Sequence, residues 1–292
     1  MSAVDSPIFL IGTGRCGSSL LYRLLSYHPD VAWISHYTSY LPGGGAWAAL
    51  ARVHDLPGMA DWLPKAEGTR RIPQPTENYR LLNAATDGLF TAPRELTADD
   101  MTDTARARLR ALVASHATAQ GKSRFAMKHT GFPRVDYLRA AFPDAKFVHM
   151  RRDGRAVAAS LCRVDWWSGE GQWGWGAVSP EDLAIYRESG SHELVLAAIY
   201  WKVLMRQYDA VQAPADRLLE LRYDAMVADP IGTMRALADF VDLPWGPVFE
   251  RRLVATPMTS DDRKWRRGLT PEEVGLLERV LHDDLVEQGF TP

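Results

Sequence analysis

The chain has only two cysteines in its 292 residues, Cys16 and Cys162. Two thiols so far apart give neither a disulfide framework nor a metal-ligand spacing, so a reducing, cytoplasmic location is expected and no metal site is. There is no charged-then-apolar leader and no apolar run near the ~18 residues that a membrane helix needs, so neither export nor a membrane span is expected. Positive charge is not in surplus. With 34 Lys and Arg against 36 Asp and Glu, the formal net charge is −2, which argues against a general nucleic-acid or membrane-surface binder. No internal repeat and no low-complexity linker divides the chain. Its length suits one large α/β domain or two small ones with a substantial core, and its composition, 46% hydrophobic and 24% charged, is ordinarily globular.

Two further absences concern the most informative stretch, Pro7 to Leu21. An apolar run breaks at Gly12 into glycines and hydroxyls around Arg15, then resumes with helical spacing at Leu20, Leu21, Leu24 and Leu25, which reads as strand, loop and helix. Such loops hold phosphate-like anions, because glycines turn backbone N–H groups inward and the helix N-terminus adds unpaired donors. Gly12, Gly14 and Gly17 satisfy G-x-G-x-x-G, but the next strand, Val31–Ile34, runs into Ser35-His36-Tyr37 without the carboxylate a dinucleotide site requires. Gly12 and Gly17 also meet the outer P-loop spacing, but Ser18 stands where an ATPase has lysine. The cation lies inside the loop instead, at Arg15.

Along the rest of the chain, Leu41 to Gly121 reads as a helical and loop insertion packed over the sheet, with helices near Ala46–Val53 and from Asp99 to Ala119. A strand at Arg124–Met127 ends in Lys128-His129-Thr130, and a helix follows at Val135–Ala141. The next strand, Lys146–Met150, delivers Arg151-Arg152-Asp153-Gly154-Arg155 and a helix to Cys162. His149, inside that strand, is expected to be packed. Arg151 and Arg155 also suit ion-pairing roles. Residues 164–191 carry Trp166, Trp167, Trp173 and Trp175 among glycines and suit a lid or acceptor-binding segment. Helices are expected over Glu193–Val211, from Asp229-Pro230 through Val241, and from Thr270, with a last strand at Leu218–Arg222 and a basic cluster at 262–268.

An anion loop after the first strand, a lysine at a later strand end, an arginine and serine after the next and a basic tail would line one edge of a parallel sheet. At these residues the sequence resembles the sulfotransferases that use 3′-phosphoadenosine 5′-phosphosulfate (PAPS). Gly14-Arg15-Cys16-Gly17-Ser18-Ser19-Leu20-Leu21 is similar to their 5′-phosphosulfate loop. Phe147 to Ser160 is similar to their 3′-phosphate motif, and Leu221-Arg222-Tyr223-Asp224 through Asp229-Pro230 to their tyrosine–acid segment. The tyrosylprotein and carbohydrate branch is nearest in style.

The resemblance implies a P-loop-like α/β fold, one domain over 1–292 with a central parallel sheet flanked by helices. It also implies transfer of a sulfuryl group to a hydroxyl or amine of a small-molecule, carbohydrate or lipid-like acceptor, with 3′,5′-adenosine bisphosphate (PAP) as product and no metal. Gly14, Arg15, Cys16, Gly17, Ser18 and Ser19 would hold the 5′-phosphosulfate, and Lys128 would neutralise charge on the bridging oxygen. Arg152 and Ser160 would grip the 3′-phosphate, Tyr223 would lie against the adenine, and Lys264, Trp265 and Arg266 would close over the nucleotide. The branch's base is a glutamate. Counted without gaps from the loop, its position here is His36, whose neutral imidazole can accept a proton; His129, beside the lysine, is the rival. A P-loop small-molecule kinase and a non-catalytic nucleotide- or partner-binding module are the alternatives. Nucleic acid is not an expected partner, and the oligomeric state is open, a homodimer included.

Overall fold

Five short runs of branched and aromatic residues form the strands β1 (Ile8–Gly12), β2 (Val31–Trp33), β3 (Arg124–Lys128), β4 (Lys146–Arg151) and β5 (Leu218–Arg222). They make one sheet in the order β2-β3-β1-β4-β5, and every pairing is parallel. The computed structural model describes residues 4–39, 45–56, 58–59, 72–169, 178–258 and 262–290. Because all strands run the same way, the segments that leave their C-terminal ends share one edge. The connection from β1 passes to one side of the sheet and that into β4 to the other, so the crevice where parallel sheets hold ligands opens beside β1.

Alternation along β1 divides the core between two faces. Ile8 and Leu10 pack with Leu21, Leu24, Met234, Leu237 and Phe249, under the helices Ser18–Leu25, Pro230–Phe240 and Pro247–Val254. Phe9 and Ile11 pack on the opposite face with Phe125, Phe147, Leu109, Val113 and Leu138, under Asp103–Gln120 and Val135–Ala141. A third cluster joins Gly154–Leu161, Glu193–Asp209 and the terminal helix Pro271–Glu287. Among the described residues no helix is long and apolar enough to cross a membrane.

The single α/β domain with a parallel sheet agrees with the reading of the sequence, and each expected strand is present within a residue or two. The helix expected from Asp99 to Ala119 is two elements, a 3-10 turn at Ala98–Asp100 and a helix at Asp103–Gln120. Thr102 interrupts it, its hydroxyl accepting the Ala105 N–H at 3.1 Å as the cap of the second element. Tyr79–Ala85, Pro180–Glu188 and Pro247–Val254 were not anticipated. Asn78 and Ser179 cap the first two, and Pro180 and Pro247 open the last two. These prolines start helices, where their missing N–H is no loss.

Lys202 ties the third cluster together. Its ammonium is 2.9 Å from Asp182 and 3.1 Å from Asp284, joining three helices in a nearly dry setting. Removing one partner of such a group strands the others. Lys202→Met should lower unfolding stability by about 3 kcal/mol, the low end for a broken buried pair because Arg206 still reaches Asp182. Urea denaturation measures this.

Candidate active site

The chain turns sharply after β1. Gly14, Arg15 and Gly17 all have positive φ, at 80°, 53° and 94°, and such a run aims successive N–H groups into one concavity. Gly17 is also required sterically. A Cβ there would lie 2.2 Å from the Tyr223 ring, so the loop rests on an aromatic supplied from beyond β5. Gly12 is hemmed in likewise, its hypothetical Cβ 2.6 Å from the Cys16 sulfur. The Cys16 thiol is therefore a packing group in the core, and only its backbone is available to a ligand. Ser18 and Ser19 begin the first helix, where N–H groups are unpaired.

Around this loop is a cavity of about 700 Å³. Gly14, Arg15, Gly17, Ser18 and Ser19 line it, as do Lys128, His129 and Thr130 after β3 and Arg152 after β4. Lys128, 6% exposed, donates to Ser19 Oγ at 2.6 Å and lies 3.4 Å from Glu77. Glu77 accepts a hydrogen bond from Thr130 Oγ1 at 2.9 Å, and its negative charge helps to raise the buried phenols Tyr79 and Tyr200 above their ordinary range, after burial itself. Arg152 donates to the Arg15 carbonyl at 3.0 Å and lies over the Tyr223 ring at 4.1 Å. The Arg15 side chain donates to Ser160 Oγ at 3.0 Å. Loop, second arginine, serine and tyrosine thus form one connected group. Tyr223 is 7% exposed between Gly17 and Arg152, which leaves little of its ring open to an adenine.

A model of the sulfotransferase family matches residues 7–247, most of the chain. The chain belongs to the sulfotransferase family. Protein-tyrosine sulfotransferase 1 of Danio rerio is 24% identical over 247 residues, covering 82% of this chain and 54% of that protein. Protein-tyrosine sulfotransferase A of Caenorhabditis elegans is 22% identical, covering 82% of this chain and 50% of that protein. The chain thus spans about half the length of these curated relatives. Among solved structures, sulfotransferase STF9 from Mycobacterium avium superposes with a TM-score of 0.55 at 16% identity, over 99% of this chain and 78% of that one; at this identity the likeness concerns the fold.

The other residues expected at a sulfotransferase site lie elsewhere or face other tasks. His36 is not among the residues lining the cavity. Its Nδ1 accepts the Gln74 N–H at 3.2 Å, and its ring lies against Tyr37. Lys264 and Arg266 are exposed and outside the cavity lining. Trp265 is buried in the third cluster, between Arg155 and Arg266. That tail, Asp262–Gly268, packs on the helix that carries Ser160. His149 is packed as expected, stacked on Tyr208. Arg155 is ion-paired with Asp153, but buried. Trp166 lines the cavity mouth and is 53% exposed, whereas Trp167 is buried against Tyr200. Trp173 and Trp175 lie outside the described residues.

Glu77 is the site residue that sequence reasoning missed. Counting without gaps led to His36, whose N–H donates to the Gln74 carbonyl at 3.2 Å. Thr76 in turn donates to the Ile34 carbonyl, and Ser35 bridges Pro75. The extended segment 73–76 therefore brings a carboxylate to the neighbourhood the count had pointed to. The available signal was weak: two prolines hold residues 73–76 extended, and Asn78 caps the next helix.

His129 lines the cavity, but burial and the Arg134 charge push its imidazole down to about 3. The ring is edge-on to Phe90, and its Nε2 has no hydrogen-bond partner among the described residues. The unfolded chain takes up this proton near pH 6.5 and the fold refuses it until about 3. Stability is therefore lost as pH falls through that window, at about 1.4 kcal/mol per pH unit for one such group. His129→Gln should remove about one proton from the acid limb, measured as a flatter urea midpoint between pH 6.5 and 4.5.

Proposed function

We propose that this chain transfers a sulfuryl group from PAPS to a hydroxyl or amine acceptor, with Glu77 as general base. The observation that carries the reading is Lys128, held between Ser19 of the anion loop and Glu77. One buried ammonium thus joins the place for an anion to a carboxylate that can take a proton. The donor set suits this nucleotide. Arg15, Ser18, Ser19 and the loop N–H groups would hold the phosphosulfate, and Arg152 and Ser160 the 3′-phosphate, with Lys264 and Arg266 approaching from the tail. Tyr223 would act by fixing Gly17 and Arg152.

PAPS supplies an activated sulfuryl group on a phosphate leaving group. Glu77 takes the acceptor's proton as its oxygen or nitrogen attacks sulfur. Lys128 meets the charge that collects on the phosphate oxygen as the S–O bond breaks and PAP departs. His129 is poorly suited to this, because an imidazole held near 3 is a weak base at neutral pH. His36 is not part of the cavity lining and is engaged with the main chain of Gln74.

Two measurements test the reading. By calorimetry in EDTA, PAP should bind tightly and ATP weakly; preference for ATP with magnesium would favour the kinase alternative instead. With labelled PAPS and a screened acceptor, Glu77→Gln should lower kcat by about 10²–10⁴ with PAP affinity retained. His36→Ala should stay near normal, and the reverse pattern would return the base to His36.

A further inference from the structure

Part of the cavity wall is a turn, Phe90 to Pro93, and every residue of that turn but the proline is fastened by a side chain. The Phe90 N–H donates to Thr86 Oγ1 at 3.1 Å. Asn83 holds Thr91 twice, accepting its N–H at 3.1 Å and donating to its hydroxyl at 2.8 Å. Arg134, 3% exposed, grips the turn from the inner side. Its guanidinium donates to the carbonyls of Phe90 at 3.1 Å, Ala92 at 2.6 Å and Arg94 at 2.6 Å, and also to Pro133 at 3.1 Å.

This arrangement is unusual for a buried cation. Arg134 has no carboxylate partner among the described residues, and four of its five N–H donors are committed to main-chain carbonyls. A lysine would bring the same charge but not the planar fork that meets several carbonyls at once. What the guanidinium secures is therefore the shape of the wall. The consequence for a ligand follows from what remains free. Among the described residues on this side of the cavity the other formal charges are Glu77 and its ion-pair partner Lys128, and the surfaces are the aromatic rings of Tyr79, Phe90, Phe132 and Tyr200 with Ala92 and Pro93. An anionic acceptor would face Glu77 and find both nearby cations already engaged, Lys128 with Glu77 and Ser19 and Arg134 with carbonyls.

Resting on the reading of the site as a sulfotransferase centre, we propose that the turn Phe90–Pro93, fastened by Arg134 and Asn83, is the specificity-determining wall of the acceptor site, and that it selects uncharged apolar hydroxyl compounds over anionic ones. Arg134 and Asn83 are positioning residues: they act through the turn and not on the reacting atoms.

The test uses the full chain saturated with PAP and two probes of one shape, 2-naphthol and 2-naphthol-6-sulfonate, titrated by calorimetry. The neutral probe should bind at least about tenfold more tightly than the sulfonate. Arg134→Lys, which keeps the charge and loses the fork, and Asn83→Ala, which frees Thr91 from outside, should each weaken 2-naphthol by about tenfold with PAP affinity unchanged. If Arg134→Lys fails to fold, Asn83→Ala carries the test alone, since its main-chain bond from Gly88 remains. Equal or tighter binding of the sulfonate overturns the proposal, as does unchanged 2-naphthol affinity in the variants. Failure of 2-naphthol to bind while PAP binds also overturns it but leaves the sulfotransferase reading standing. Absence of PAP binding by the unaltered chain sinks both.

Discussion

Lys128 is the point on which the rest of the site depends. A lysine that is 6% exposed must find partners for its ammonium or lose its charge. It finds them on two segments that have no other direct reason to meet, Ser19 at the start of the first helix and Glu77 just after the extended segment 73–76. β3 supplies the lysine, the loop after β1 supplies the hydroxyl, and the region between β2 and β3 supplies the carboxylate. One desolvated charge therefore holds the glycine loop and the Glu77 carboxylate together.

The sheet order makes this convergence possible. β1 lies between β3 and β4, so the glycine loop leaves the sheet with Lys128 on one side and Arg152 on the other. Tyr223, arriving from β5, closes the group from below by packing where Gly17 has no side chain. Each contact constrains the next. Gly17 must lack a Cβ because Tyr223 is there, and Tyr223 is held there by the Arg152 guanidinium above its ring.

The half of the site that binds anions was legible in the sequence because its geometry is local. A strand that ends in glycines, followed by hydroxyls and a helical repeat, fixes both the turn and its donors within a dozen residues. The same is true of Arg152 and Ser160, set by one strand and one helix. The tail was less legible. Lys264, Trp265 and Arg266 form a recognisable basic cluster, but whether the indole is a ligand surface or a core residue depends on the helices packed against it, and here it is buried. Cys16 differs in the same way. Its position in the loop was clear, while the direction of its thiol follows from the close approach of Gly12.

The half of the cavity around Glu77 was illegible for a physical reason. Glu77, Thr130 and the turn 90–93 come from three separate stretches, and they meet because the main chain of 74–76 pairs with that of 34–36 and because Arg134 reaches across to the carbonyls of Phe90, Ala92 and Arg94. Main-chain hydrogen bonds are nearly blind to side-chain identity, so the residues that deliver the Glu77 carboxylate and the wall leave little trace in the sequence. The same blindness gives such a scaffold freedom. The insertion can change its surface residues without disturbing the pairing that positions Glu77, and the acceptor can change while the nucleotide half stays constant. Arg134 limits that freedom: a buried guanidinium that satisfies carbonyls rather than a carboxylate fixes the path of the turn, so variation in the acceptor must act through the side chains the turn displays.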